Sequence, residues 1–456
     1  MRSRLDRKRG APRPSRFYIE SLGCPKNTVD ANAMAVLLQR AGYAPTLDVD
    51  EADVVIVNTC GFIQPARDES LEALNDLATS MRPDQRLIAA GCWSQRSPEY
   101  IRAAVPGVDA LLGTRSWAEI VSVVERLLSK RGGDTLTLIE DRLSMLPEEV
   151  EAPGYVLSGR SAFLKIAEGC SRQCAFCAIP EIKGPAVSRT MNAILADAQA
   201  LQHLGALEIN LIAQDATYYG YDLGLRDGLA ILLEELARTV PDVPWIRVLY
   251  AFPGYITPRL IRVMEDVPQI LPYVDIPLQH AHPAVLRRMR RPADIKQVRR
   301  TLSDLRLAMP DIAVRTTFIV GYPGETEEEF EALLDFVEEI RFDRVGVFTY
   351  SREANTAAAE LDNPVPDDVA VSRYDRLMMT QQEISYRRNL EFVGKRMLVL
   401  LEGCGDGMTV GRSYRDAPEI DGLVLIPEEV APHRMVEVEI TDALVYDLSG
   451  IIVGDA

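Results

Sequence analysis

The sequence has no apolar run of about 18 residues, the length that a membrane-spanning helix needs. It is also poor in positive charge, since 50 Lys and Arg stand against 67 Asp and Glu and the formal net charge is −17. A nucleic-acid-binding protein usually carries a basic surface. The balance therefore counts against RNA or DNA as the main target and favours a basic partner, with no membrane association.

Cysteine is scarce and odd in number, with seven residues in a chain of 456. A secreted disulfide framework is short and carries paired cysteines, so this count favours a reducing, cytoplasmic location. Residues 1–16 hold seven Lys or Arg without the apolar stretch of a secretory signal. We expect residues 1–15 to be a disordered basic leader, followed by three domains in a chain of this length.

Three of the cysteines, Cys170, Cys174 and Cys177, have the spacing C-x3-C-x2-C. Three thiolates can hold three irons of a four-iron cluster and leave the fourth iron open for chemistry. A structural zinc site would need a fourth ligand, and no cysteine or histidine is near in sequence. A zinc knuckle or inert thiols are the alternative. The spacing, with Phe176 before the last cysteine, resembles the signature of the radical S-adenosylmethionine (SAM) superfamily.

Three further cysteines each follow a strand-like apolar run and precede a helical pattern. They are Cys24, Cys60 and Cys92. Alternating strands and helices predict a doubly wound parallel sheet over residues 16–130. Since the carboxyl ends of parallel strands share one edge, the three thiols should meet there. We infer a second [4Fe-4S] cluster, with three buried structural thiols as the alternative.

The sequence after residue 130 predicts a linker and two more domains. Together with the first domain, this gives an α/β multidomain fold class. Residues 131–153 are polar and acidic, as in a linker. Residues 154–389 contain apolar runs alternating with helical patterns, which predicts a partial (β/α)6 barrel with its active site at the strand carboxyl ends. Residues 390–456 predict a small all-β barrel. The six central runs are residues 163–167, 208–213, 245–251, 274–278, 314–320 and 344–350.

Several polar or glycine residues follow the central runs and are candidates for cofactor binding. Gln214 and Asp215 follow the second run, and a glycine-rich turn from Gly321 to Glu325 follows the fifth. Glycine allows the backbone to approach a ligand closely. For Asp215 and Glu325, a carboxylate at a helix N-terminus is an equal alternative.

Other polar residues are expected to be structural. His280 and His282 follow the fourth run and could face one side of a strand, but the cysteines already account for the metals. We expect hydrogen-bonded structural histidines there. Cys404 lies outside both triads and is expected to be an ordinary buried thiol.

Five segments resemble sequence elements of the methylthiotransferases of the radical SAM superfamily. The form most similar to them modifies an aspartate on a small-subunit ribosomal protein. The resemblance implies two [4Fe-4S] clusters, the second carrying sulfide or polysulfide. One SAM would methylate this sulfur, and another would supply a 5′-deoxyadenosyl radical that abstracts hydrogen from the aspartate β-carbon. It also implies that Gln214, Asp215, Gly321 and Glu325 line the SAM site. The five segments are residues 24–27, 58–63, 91–92, 165–170 and 176–180.

Residues 390–456 resemble a TRAM module, which usually binds RNA. From Lys395 onward, however, five Lys or Arg stand against twelve Asp or Glu. Because phosphate neutralisation drives much of RNA binding, a barrel with this charge should bind RNA poorly and attract a basic protein. The resemblance implies that this substrate is a basic small-subunit ribosomal protein, with the ribosome as a further partner. The reaction would also need an electron donor such as flavodoxin or ferredoxin. Alternatives are methylthiolation of a tRNA adenosine, an iron-sulfur electron carrier, and a non-catalytic binder of a ribosomal protein.

Overall fold

The computed structural model describes residues 14–129, 135–140 and 157–455. The chain divides into two compact units, Met1–Pro147 and Glu148–Ala456. Residues 1–13 of the expected leader, and residues 131–134 and 141–153 of the expected linker, lie outside the described residues. Throughout the described ranges, every helix is too short or too polar to cross a membrane.

The first unit is built on a parallel six-stranded sheet in the order β2-β1-β3-β4-β5-β6. Its strands are β1 (Arg16–Ser21), β2 (Ala44–Pro45), β3 (Val54–Thr59), β4 (Arg86–Gly91), β5 (Ala110–Gly113) and β6 (Leu136–Leu138). Its helices are α1 (Pro25–Arg40), α2 (Gln64–Ser80), α3 (Cys92–Arg96), α4 (Pro98–Ala104) and α5 (Ile120–Ser129).

Both faces of this sheet are covered, as a doubly wound fold requires. In β3, Val54 and Ile56 join the core under α1 and α5, whereas Val55 and Val57 join the core under α2 and α4. This alternation follows from the two-residue period of a strand. The expected parallel sheet is confirmed. It is larger than expected, because β6 lies inside the segment interpreted as a linker and pairs with β5.

The second unit begins with a parallel β/α domain. Its strands are β7 (Ser161–Lys165), β8 (Ala167–Glu168), β9 (Val187–Ser188), β10 (Glu208–Ile212), β11 (Trp245–Val248), β12 (Tyr273–Asp275), β13 (Ala313–Val320) and β14 (Arg344–Thr349). Its helices are α6 (Ile179–Lys183), α7 (Met191–His203), α8 (Gly228–Thr239), α9 (Pro258–Asp266), α10 (Pro283–Arg288), α11 (Ile295–Ala308), α12 (Glu327–Ile340) and α13 (Asp367–Leu390).

Six of these strands form the expected partial barrel. They occur as two parallel three-stranded groups, β7-β10-β11 and β12-β13-β14. A parallel bridge between Ile246 and Ile270 connects the end of the first group to the segment before β12. All six expected runs therefore overlap a strand, and one hydrophobic core packs them against the helices.

The second unit ends in a closed five-stranded barrel in the order β15-β16-β17-β19-β18. Val399, Val424, Val436 and Val438 fill its interior. One expectation here is wrong: Cys404 is exposed rather than buried, because it lies near the end of β15 beside the turn into β16. The strands are β15 (Arg396–Gly405), β16 (Met408–Ser413), β17 (Val424–Ile426), β18 (Met435–Ala443) and β19 (Leu448–Asp455).

Buried ion pairs and a buried hydrogen bond join this small barrel to the amino ends of the β/α strands. Arg412 donates to Glu208, the first residue of β10, at 2.6 Å. Asp416 accepts from Arg344, the first residue of β14, at 2.7 Å. Asp421 accepts from the Tyr273 hydroxyl at 2.7 Å. Since active sites of such domains lie at the carboxyl ends of the strands, the small barrel is attached at the opposite end.

Candidate functional site

The first cysteine triad lies at the carboxyl edge of the first sheet. Cys24 precedes α1 in the connection from β1, Cys60 follows β3 directly, and Cys92 is the first residue of α3 after β4. Strands β1, β3 and β4 are neighbours in the sheet. The topology thus brings together three residues that are far apart in sequence, as the strand rule predicts.

Asn27 links the connections that carry these cysteines. Its buried side chain donates from Nδ2 to the carbonyl oxygens of Leu22 at 2.9 Å and Thr59 at 3.1 Å. Its Oδ1 accepts from the Cys92 Sγ at 3.5 Å, while its own carbonyl accepts from Asn58 at 2.7 Å. Sequence reasoning included Asn27 in a motif but assigned it no role; its position three residues after Cys24 was the available signal.

Glycine allows the cysteine connections to approach each other. Gly23 has φ +88°, and a Cβ there would lie 2.7 Å from the Cβ of Cys60. Burial raises the pKa of the Cys60 thiol to about 11, so the free thiol is neutral. Thiol donors of this kind suit an iron-sulfur cluster, whose binding would displace the protons.

The second triad lies in the loop between β8 and α6. The Cys170 N–H donates to the Gly184 carbonyl at 3.0 Å, and the Ala175 N–H donates to the Met289 carbonyl at 2.9 Å. Burial raises the pKa of the Cys177 thiol to about 12 and also raises that of Cys170. The loop is therefore fixed by backbone contacts on both sides, with three thiols as its only sulfur donors.

The geometry of the two cysteine triads differs from that of a site for a single metal ion. Across the described ranges, no group of three or more His, Cys, Asp or Glu side chains is positioned to hold a single metal ion. A four-iron cluster differs from such a site because each protein thiolate binds its own iron.

Glu168 is a buried, charged residue two positions before the second triad. The ammonium groups of Lys165 and Lys183 lie 2.5 Å and 3.2 Å from its carboxylate oxygens. Burial opposes ionisation, but the two lysines outweigh it and hold the pKa of Glu168 well below its usual range. Gln214 donates to the same carboxylate at 3.0 Å. The predicted residue Gln214 is thus attached to the end of β8, directly before the cysteine loop, and its Oε1 is buried without a partner among the described residues.

Asp215, also predicted, orients an arginine of the cysteine loop. Its carboxylate accepts from the Nε of Arg172 at 2.7 Å. The Arg172 guanidinium lies 3.7 Å from the ring centroid of Tyr255 and 4.3 Å from that of Phe252. Arg172 stands between Cys170 and Cys174, so its place in the motif was visible in the sequence, but its partners were not.

Glu325 and Gly321 form a separate, closely packed group. The Glu325 carboxylate accepts from Arg373 at 2.7 Å and from the Gly321 N–H at 2.7 Å, and it lies 2.9 Å from the His280 Nε2. A Cβ on Gly321, whose φ is +72°, would lie 2.5 Å from the Cβ of Ala370 in α13. The geometry therefore gives these two residues internal partners, and direct contact with SAM stays a prediction.

The two histidines are hydrogen-bonded, as expected. The His280 Nδ1 accepts from the His282 N–H at 2.9 Å, which leaves Nε2 to donate to Glu325. Burial lowers the pKa of His280, so this buried ring is neutral. The His282 Nδ1 accepts from the Ala284 N–H at 3.3 Å and caps α10.

Comparison with known proteins covers nearly the whole chain. Residues 16–113 match Uncharacterized protein family UPF0004, residues 164–337 match the radical SAM superfamily, and residues 393–453 match a TRAM domain. The chain is 48% identical to the ribosomal protein uS12 methylthiotransferase RimO of Roseiflexus castenholzii over 96% of both chains. It is 47% identical to the protein of that name from Chloroflexus aurantiacus, over 95% of this chain and 99% of the relative.

A solved structure supports the fold. The radical SAM methyltransferase TsrM from Kitasatospora setae, bound to tryptophan substrate and a SAM analogue, aligns with a TM-score of 0.57. The alignment covers 81% of this chain and 89% of that one at 12% identity, and at that identity the likeness concerns fold alone.

Proposed function

The chain belongs to the family of ribosomal protein uS12 methylthiotransferases RimO, and from that premise we propose that it adds a methylthio group to the β-carbon of an aspartate in uS12. It is a radical SAM methylthiotransferase, which implies SAM and a [4Fe-4S] cluster as cofactors. Methylthiolation of a tRNA adenosine is not favoured, because the relatives that match this chain over nearly its full length are named ribosomal protein uS12 methylthiotransferases.

Each triad is proposed to hold one [4Fe-4S] cluster. Cys170, Cys174 and Cys177 would bind the cluster that takes SAM, and the other cluster, carrying sulfide or polysulfide, would lie on the first sheet. Together the cofactors supply a hydrogen-abstracting radical and the transferable sulfur. This chemistry suits the substrate, since a C–H bond beside an ionised carboxylate is a poor target for general-base catalysis. The second cluster's ligands would be Cys24, Cys60 and Cys92.

The predicted SAM-site residues have different proposed roles. We propose that Gln214 lines the SAM site, where a small movement of its side chain would offer the buried, unpartnered Oε1 to the ligand. Asp215 would act by orienting Arg172. Gly321 and Glu325 would act by fixing the turn that follows β13, because their polar groups already bond to each other.

The observation that carries the choice of a protein substrate is that every basic side chain after Gly394 has a carboxylate partner. Arg412 and Arg415 are buried against acids of the β/α domain, and the other three pair on the surface. RNA binding depends on basic groups that neutralise phosphates. With these groups engaged and acids such as Glu428 and Glu429 exposed, the small barrel should attract a basic protein. The surface-paired residues are Lys395, Arg396 and Arg434.

The proposal is tested by anaerobic reconstitution with SAM, sulfide and a reductant, where flavodoxin or ferredoxin can replace the chemical reductant. Mass spectrometry then follows both ribosomal proteins and tRNA, with free uS12 and intact small subunits as separate substrates. We expect a methylthio mass gain on one uS12 aspartate and none with Cys170→Ala. A gain on tRNA alone would refute the proposal.

A further inference from the structure

Arg291 contacts the second triad through its side chain. It lies just beyond α10, and its Nη1 is 3.5 Å from the Sγ of Cys174. The residue is only 9% exposed. Its Nη2 donates to the Pro277 carbonyl, which follows β12 at the carboxyl end of the strands. A buried guanidinium is thus held against a cysteine of the proposed cluster by a fixed backbone acceptor.

Two further contacts keep this arginine in place. Its guanidinium lies 4.2 Å from the ring centroid of Phe252, and the Arg172 guanidinium lies 4.3 Å from the same centroid. Such cation–π contacts stabilise a desolvated guanidinium. The carbonyl of Met289 accepts from the Ala175 N–H, so the segment that carries Arg291 also bonds to the backbone of the cysteine loop. The geometry therefore fixes both ends of the contact between Arg291 and Cys174.

A fixed positive charge beside a cluster sulfur changes the energy of reducing the cluster. Reduction adds one negative charge, which spreads over the irons and sulfurs. A hydrogen bond from a cation to a ligand sulfur stabilises that added charge and raises the reduction potential. Burial of Arg291 limits screening by solvent and salt, so the effect should persist at physiological ionic strength.

We infer that Arg291 is a positioning residue that raises the reduction potential of the cluster held by Cys170, Cys174 and Cys177, an inference that rests on the proposed function. Its role would be to make the entry of one electron from the external donor more favourable. Arginine suits the position because its planar fork reaches the Cys174 sulfur and the Pro277 carbonyl at once.

The experiment uses the full-length chain with Cys24, Cys60 and Cys92 replaced by Ala, so that one cluster remains. Iron is counted after anaerobic reconstitution, and the midpoint potential is measured by a dithionite titration followed by electron paramagnetic resonance. Arg291→Gln keeps a hydrogen-bond donor without the charge. Arg290→Met is the matched control, since this neighbouring arginine is exposed.

We expect Arg291→Gln to hold its iron and to shift the reduction equilibrium about tenfold towards the oxidised cluster, which is 59 mV for one electron. Arg290→Met should keep the starting potential. An unchanged potential in Arg291→Gln overturns the inference, as does loss of iron in Arg291→Gln and Arg291→Lys while Arg290→Met retains it. If the starting protein itself holds no iron, the assignment of the triad fails first, and the proposed function falls with it.

Discussion

Arg412→Met should strongly destabilise the second unit, because it breaks a buried ion pair between the small barrel and the β/α domain. The Arg412 side chain is 1% exposed, and it donates to Glu208 at 2.6 Å and to Glu402 at 2.7 Å. Its removal leaves Glu208, which is fully buried, with Arg247 as the remaining cation at 3.0 Å. Breaking one side of a buried pair typically costs about 3–5 kcal/mol.

The matched control is Arg434→Met in the same barrel. Arg434 pairs with Asp455 at 2.6 Å, but these side chains are 42% and 79% exposed. Exposed pairs contribute at most about 1 kcal/mol. The two variants remove the same side chain from a carboxylate pair of the same length, and they differ in burial and in the second carboxylate, Glu402, that Arg412 also contacts.

Urea denaturation followed by circular dichroism measures both variants against the wild type. Glu208→Gln and the double variant with Arg412→Met complete a cycle, and the double variant should lose less than the two single losses combined. A loss below about 1 kcal/mol for Arg412→Met, or equal losses for Arg412→Met and Arg434→Met, would refute the reasoning about burial.

Three other predictions follow from the same contacts. Cys24→Ala should remove one of two four-iron clusters in iron analysis, whereas Cys404→Ala should keep both, because Cys404 is exposed and outside both triads; equal iron in both variants would contradict this. Gln214→Ala should weaken SAM binding by about 10- to 150-fold in anaerobic calorimetry, since a hydrogen bond to a charged group contributes about 1.5–3 kcal/mol, and unchanged affinity would exclude the contact. Burial disfavours the charged form of Glu208, but Arg412 and Arg247 outweigh burial and lower its pKa to about 2. Because this pKa is depressed, the stability that the carboxylate contributes is present above its unfolded pKa of about 4.3 and is lost as the pH falls towards 2. In Glu208→Gln, the free energy of unfolding measured in urea should therefore vary less with pH across that acid range than in the wild type.

Much of the fold could be predicted because its main signals are local. The run before Cys60 is apolar at every position of β3 except its end, as expected for a strand buried on both faces. That run, a helix and the next run together predict a parallel sheet, and the sheet then places Cys24, Cys60 and Cys92 on one edge. The strands β5 and β6, of four and three residues, were missed because so short a run carries too little periodicity to distinguish a strand from a loop.

The partners of the site residues could not be predicted, because they come from distant parts of the chain. Arg291 reaches Cys174 across 117 positions, and Arg373 reaches Glu325 across 48. In a helix such as α13, an arginine normally lies in solvent, so nothing in the local pattern marks Arg373 as buried. Motif spacing predicts which thiols form the site, whereas the charged groups around those thiols depend on the tertiary fold.

The ion pairs of the small barrel bury charges of both signs, since Arg412 and Arg415 pair with acids of the β/α domain while Asp416 and Asp421 pair with its arginines. Arg412 and Arg415 count as positive charges in the sequence, yet both are buried against Glu208 and Asp343 and present no charge to a partner. A TRAM-like barrel that bound RNA would need such arginines on its free surface. In this chain they attach the barrel to the β/α domain, and the exposed cations that remain on the barrel, Lys395, Arg396 and Arg434, each pair with a carboxylate. The proposed preference for a protein substrate and the stability of the second unit therefore depend on the same buried arginines.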